Sequence, residues 1–166
     1  QALNRRHQLQ RPDDPQLEAR IQAFELAFRM QTSVPEVSNL SGEPDEVFEL
    51  YGKSARTPGT YAANCLLARR LVERGVRFVQ AWVGNDWDHH QNLEEGHRSL
   101  ARKCDQAIGA LLKDLKRTGL LDETLIVQFS EFGRRISENG SGGTDHGAAG
   151  LMMALGGTVR GGLYGT

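Results

Sequence analysis

Apolar side chains recur at helical spacing in three stretches of the chain. Leu17, Ile21, Phe24 and Phe28 form the first stripe, which predicts a helix from Asp13-Asp14-Pro15 to about Gln31. Proline at its first turn and acids at the positive end of its dipole suit that start. Pro35 and Pro44 then interrupt the pattern, and Asp45 to Tyr51 suits a short helix. A second long helix is expected to open at Thr57-Pro58. Tyr61, Cys65, Ala68 and Val72 mark its inner stripe, and Gly75 fits its C-terminal cap. The third stripe is Leu93, His97, Leu100, Cys104, Ala107, Leu111 and Leu115, with Gly119 as the stop.

Three shorter runs read as strands. Residues 76–83 and 124–129 are rich in β-branched and aromatic side chains, and Leu151-Met152-Met153-Ala154-Leu155 is wholly apolar. A wholly apolar strand suits burial on both faces, so Met152 and Met153 are expected in the core, and Trp82 with them. Strands alternating with helices argue for an α/β fold with a mostly parallel sheet. Three strands are few for helices this long, so further strands are expected N-terminal to Gln1. The opening residues show neither an initiator Met nor a signal peptide, which points the same way. On this reading residues 1–56 are a helical N-terminal segment, and residues 57–166 are the α/β part that carries the site loops.

Composition narrows the partners. The chain has 20 basic and 21 acidic side chains and a net charge of -1, which gives no electrostatic footprint for nucleic acid or an anionic membrane. No apolar run approaches the roughly 20 residues of a membrane span. Cys65 and Cys104 lie in separate helical stripes without a CxxC spacing and read as buried thiols. The 19 glycines crowd the C-terminal third, which therefore reads as rich in loops.

The candidate chemistry sits where the strands end, the usual place for ligands in open α/β sheets. After the first strand comes Asn85-Asp86-Trp87-Asp88-His89-His90. After the second come Ser130-Glu131-Phe132-Gly133-Arg134 and, further on, Gly143-Thr144-Asp145-His146-Gly147. Carboxylates and imidazoles are the common ligands of zinc and related ions. Asp86 reads as a turn cap. Asp88 and His90 read as a ligand or catalytic pair, against a structural hydrogen bond. Glu131 is either a functional acid or a local cap. Arg134 is either an anion-binding group or the ion-pair partner of Glu131 or Glu138. Asp145 and His146, between glycines, are the strongest item. His89 points to solvent or supports the ligands from behind. His97 is a half-buried stripe residue or such a support. Trp87 would wall the site.

Several of these segments closely resemble a bacterial family, domain of unknown function 1501. They include Leu66 to Val79, Trp87-Asp88-x-His90, Leu111 to Leu115, Leu120 to Leu125, Ser130 to Arg134, Thr144-Asp145-His146 and Gly156-Gly157-x-Val159-x-Gly161-Gly162. The likeness runs from Leu3 to the end. The family is similar to the alkaline phosphatase and sulfatase superfamily. That resemblance implies an alkaline-phosphatase-like sheet sandwiched between helices, of which this chain would be the C-terminal part. It also implies hydrolysis of phosphate or sulfate esters, small-molecule or polysaccharide, at a site of one or two divalent ions of the zinc or calcium/magnesium class. Asp88, His90 and His146 would be ligands, with Glu131 and Asp145 completing or orienting the set. Glu131-Phe132 stands where the superfamily usually has an Asp-His pair. The nucleophile and a further Asp ligand would lie upstream, so no catalytic residue is expected within this chain. Export from the cytoplasm is implied as well. The alternative is a binding or scaffold domain that keeps the fold without the chemistry.

Overall fold

The computed structural model describes residues 2–12, 14–84 and 87–165, without the side chains of residues 30, 32 and 33. Asp13 at the expected helix start, and Asn85 and the expected turn cap Asp86, lie outside the described residues. The chain divides into two compact units, Gln1–Gly42 and Glu43–Thr166.

The first unit holds α1 (Ala2–Gln10) and α2 (Pro15–Ser38). Asp14 caps α2 by accepting from the amides of Gln16 and Leu17 at 3.1 and 2.9 Å, with Pro15 in the first turn. This satisfies two of the free N–H groups of a helix start. The helix runs past the expected end at Gln31 and through Pro35. A proline so near the end removes one intrahelical bond only, and the Asn39 amide closes the last turn onto the Pro35 carbonyl. Of the expected stripe, Ile21 is buried, whereas Phe24 and Phe28 are exposed.

The second unit is built on three helices: α3 (Asp45–Tyr51), α4 (Tyr61–Glu73) and α5 (Leu93–Arg117). Thr57 to Gly59 form a turn ahead of α4 instead of its first residues. Thr60 is the cap, its Oγ1 accepting from the Ala63 amide at 3.2 Å. Gly75 ends α4 with φ +79°, in the left-handed region that glycine adopts without strain. The inner faces carry Val47, Phe48, Tyr51, Leu66, Leu100 and Leu115, together with Cys65 and Cys104, both buried as expected. Burial pushes the Cys65 thiol up to about 11, so it behaves as a small apolar side chain at neutral pH.

A polar network also crosses this core. Asp114 is fully buried in α5 and accepts from Tyr51 Oη at 3.3 Å and from Arg117 Nη2 at 2.7 Å. Arg69 of α4 donates to Glu43 at 2.5 Å and to Glu73 at 2.6 Å. Its Nε stands 3.0 Å from Asp114 Oδ2 but out of line for a hydrogen bond, so that contact is coulombic. Charged groups this deep are tolerated because each has partners.

Among the described residues the strands form two small antiparallel pairs in place of the mostly parallel sheet, which leaves a mixed α/β molecule. β1 (Ile126–Gln128) pairs with β4 (Met153–Leu155), and β2 (Gly133–Arg134) pairs with β3 (His146–Gly147). Residues 76–83 belong to no ladder, since strand composition forms a strand only where a partner edge is present. For the same reason Trp82, Met152 and Met153 are exposed and not core, as are Phe78, Val127 and Leu151. No described helix is long and apolar enough to cross a membrane.

Candidate metal centre

The centre is assembled from two loops. The first, residues 87–92, leads into α5. The second runs from β2 to β3 and returns His146 opposite Arg134 in the β2–β3 register. Backbone bonds lace the loops together. The Thr144 amide donates to the His89 carbonyl at 3.1 Å, and the Leu93 amide donates to the Gly142 carbonyl at 2.8 Å. A side chain at Gly143 would overlap the backbone of His90 and Gln91, so glycine is what lets the loops approach.

Arg134 clips the two loops together. Its Nε donates to Thr144 Oγ1 at 2.7 Å and its Nη2 to the His89 carbonyl at 2.8 Å. Nη2 also donates to the Thr144 carbonyl, and Nη1 forms a short ion pair with Asp88 Oδ1. Four of the five N–H donors of a guanidinium are thus committed to protein acceptors. Among the sequence alternatives, Arg134 therefore acts as an ion-pair partner, with Asp88 taking the place of Glu131 or Glu138.

Three of the expected ligands converge. Asp88 Oδ1 stands 3.0 Å from His146 Nε2 and 3.2 Å from His90 Nε2, and the two Nε2 atoms are 3.3 Å apart. The three residues are partly exposed, with side-chain accessibilities of 33%, 48% and 51% for Asp88, His90 and His146, so solutes can reach them. Asp145 is on the far side of the His90 ring, its Oδ1 3.4 Å from Nδ1. Glu131 is exposed and lies outside the three-residue group. His89 and His97 pack on each other with ring centroids 5.1 Å apart, and Trp87 meets the His97 ring edge-on at 5.2 Å. His97 Nδ1 bonds the Leu93 carbonyl at 3.1 Å, one turn back along α5.

The protonation pattern is constrained. The Arg134 guanidinium, with His146 and His90 adding to it, holds the Asp88 carboxyl below its ordinary value. Asn139 first, then His90, does the same for Asp145. An ionised carboxylate only accepts, and each His90 ring nitrogen faces one: Asp145 Oδ1 at 3.4 Å from Nδ1 and Asp88 Oδ1 at 3.2 Å from Nε2. Of these two, only the Nδ1 contact has hydrogen-bond geometry, which favours the proton on Nδ1. A neutral His90 then aims the Nε2 lone pair at Asp88 Oδ1 and His146 Nε2. One His146 Nε2–H cannot serve both neighbours, so this face favours a positive charge between the three atoms, whether a shared proton or a metal ion.

The donor set fits a divalent ion. At metal–ligand distances of about 2.0–2.1 Å, adjacent ligands stand about 3.3 Å apart around a tetrahedral ion and about 2.9 Å apart around an octahedral one. The observed edges of 3.0, 3.2 and 3.3 Å span that interval. One oxygen and two imidazole nitrogens suit zinc and its neighbours better than calcium, which prefers oxygen throughout.

Three contributors escape a reading of the sequence. Phe132 packs its ring on His146 at 3.9 Å between centroids, Thr144 receives Arg134, and Asn139 joins the loops. A neutral amide or an aromatic ring signals no chemistry in a sequence. The Asn139-Gly140 pair, a common turn signature, was the one available hint.

No curated protein and no solved structure matches the chain. A family model does match, across residues 1–166, and the chain belongs to that family, described as protein of unknown function (DUF1501).

Proposed function

We propose that the full-length protein is a metal-dependent hydrolase of phosphate or sulfate esters, and that this chain supplies Asp88, His90 and His146 as ligands. The observation that carries the reading is the approach of one carboxylate oxygen and two Nε2 atoms to within 3.0–3.3 Å on an exposed surface. A divalent ion held there would polarise an ester oxygen and lower the pKa of a nucleophile or bound water. The protein's own groups supply the positioning. Arg134 fixes Asp88, Phe132 supports the ring of His146, and Asp145 orients His90, the carboxylate–imidazole arrangement common around metal ligands. Glu131, exposed and outside the three-residue group, is not needed for it.

The reading carries an alkaline-phosphatase-like sheet and an exported location with it. The exposed apolar faces of residues 76–83, β1 and β4 support the first, because strands of a larger covered sheet would bear such side chains. The second reading, a binding or scaffold domain, draws on Arg134. Four of its five donors are spent within the protein, so its fork is not open to an ester anion.

The test is turnover of 4-nitrophenyl phosphate and 4-nitrophenyl sulfate by the full-length protein, before and after chelation. The hydrolase reading expects turnover of one ester that chelation abolishes and His146→Ala removes. Metal uptake with no turnover of either ester would favour the scaffold.

A further inference from the structure

Asn139 is bonded on every face of its amide. Its Oδ1 accepts from the backbone amides of Ser141 at 2.9 Å and Gly143 at 3.0 Å. Its Nδ2 donates to the His90 carbonyl at 2.9 Å and to Asp145 Oδ1 at 3.2 Å. The two backbone donors settle which way the amide faces, because only the oxygen can accept them. Its own amide donates to the Gly143 carbonyl at 2.8 Å, which anchors the residue in the loop. Asp145 Oδ1 therefore has a fixed donor on one side and His90 Nδ1 on the other, at 3.4 Å.

We propose that Asn139 is a positioning residue that sets the tautomer of His90: it fixes Asp145, Asp145 accepts a hydrogen bond from Nδ1–H, and Nε2 is left as the unprotonated nitrogen facing Asp88 and His146. The geometry stands without a metal; the consequence for ion binding rests on the hydrolase reading above. Asn139→Asp keeps the shape and reverses the function. It replaces a donor with an acceptor and sets a second carboxylate against Asp145, where like charges repel.

The experiment is a long-range ¹H–¹⁵N correlation on the metal-free chain, at a pH where the imidazoles are neutral, followed by titration with Zn²⁺ alone. The wild type is expected to show His90 in the Nδ1–H form. Asn139→Asp and Asp145→Asn are both expected to shift it toward Nε2–H and to weaken zinc binding by about 10–100-fold, the usual effect of losing a ligand's supporting partner. His97, tied to the Leu93 carbonyl within α5, should keep its signals in both variants and so reports that the unit remains folded. An Nε2–H form of His90 in the wild type, or a tautomer unchanged in Asp145→Asn, overturns the proposal. A wild type that keeps the Nδ1–H form yet takes up no zinc supports the relay and contradicts the metal reading instead.

Discussion

At the scale of single residues, the centre depends on groups whose partners lie across the loop junction. Asp88, His90, Asp145 and His146 were legible because acids and imidazoles between glycines, after apolar runs, form an unusual pattern. Arg134 was legible as a charged loop residue, but Asp88 was not legible as its partner, because the pairing spans 46 positions and exists only once the loops meet. Glu131 shows the converse: a carboxylate in a plausible place that the loop turns to solvent. The fork of Arg134 yields a prediction. Arg134→Lys keeps the charge but cannot reach Thr144, His89 and Asp88 together. Divalent-ion affinity should fall by about 10–100-fold on calorimetric titration, and unchanged affinity would contradict the clip. The same ion pair has a pH signature. A carboxyl depressed in the folded state stabilises above its unfolded value and loses that contribution as pH falls through the folded one. The Asp88 contact should therefore outlast the ordinary carboxyl range as pH falls and loosen only below it, and Arg134→Gln should move the Asp88 titration upward in a carboxyl ¹³C experiment.

At the scale of elements, the helices were the most legible part. Regular apolar stripes, the Asp14 cap and the Gly75 and Gly119 stops set most of their limits. What the stripes hid was charge inside them. Asp114 and Arg69 are buried between α4 and α5, and no periodicity argument places an ion pair in a core. Removing one partner of such a pair strands the other, so Arg69→Met should destabilise the second unit by about 3–5 kcal/mol in urea unfolding. A change within experimental error would mean that Tyr51 and Arg117 alone satisfy Asp114. Strands were legible in composition and not in pairing. Residues 76–83 have the side chains of a strand, yet side chains record a surface to be covered, whereas a ladder requires a neighbouring edge.

At the scale of the whole molecule, near-neutral charge, two compact units and a mixed α/β fold carry little chemical information by themselves. The candidate centre lies in the loops, and the scaffold serves to bring them together. The exposed apolar strands and the exposed Asp/His/His face are the features a bare helical scaffold does not require. The account stands most directly on the second. Titration of the chain with Zn²⁺ by calorimetry, beside His146→Ala, tests it: one ion bound per chain by the wild type and none by the variant is the predicted result. No uptake by the wild type, or equal uptake by both, would contradict it.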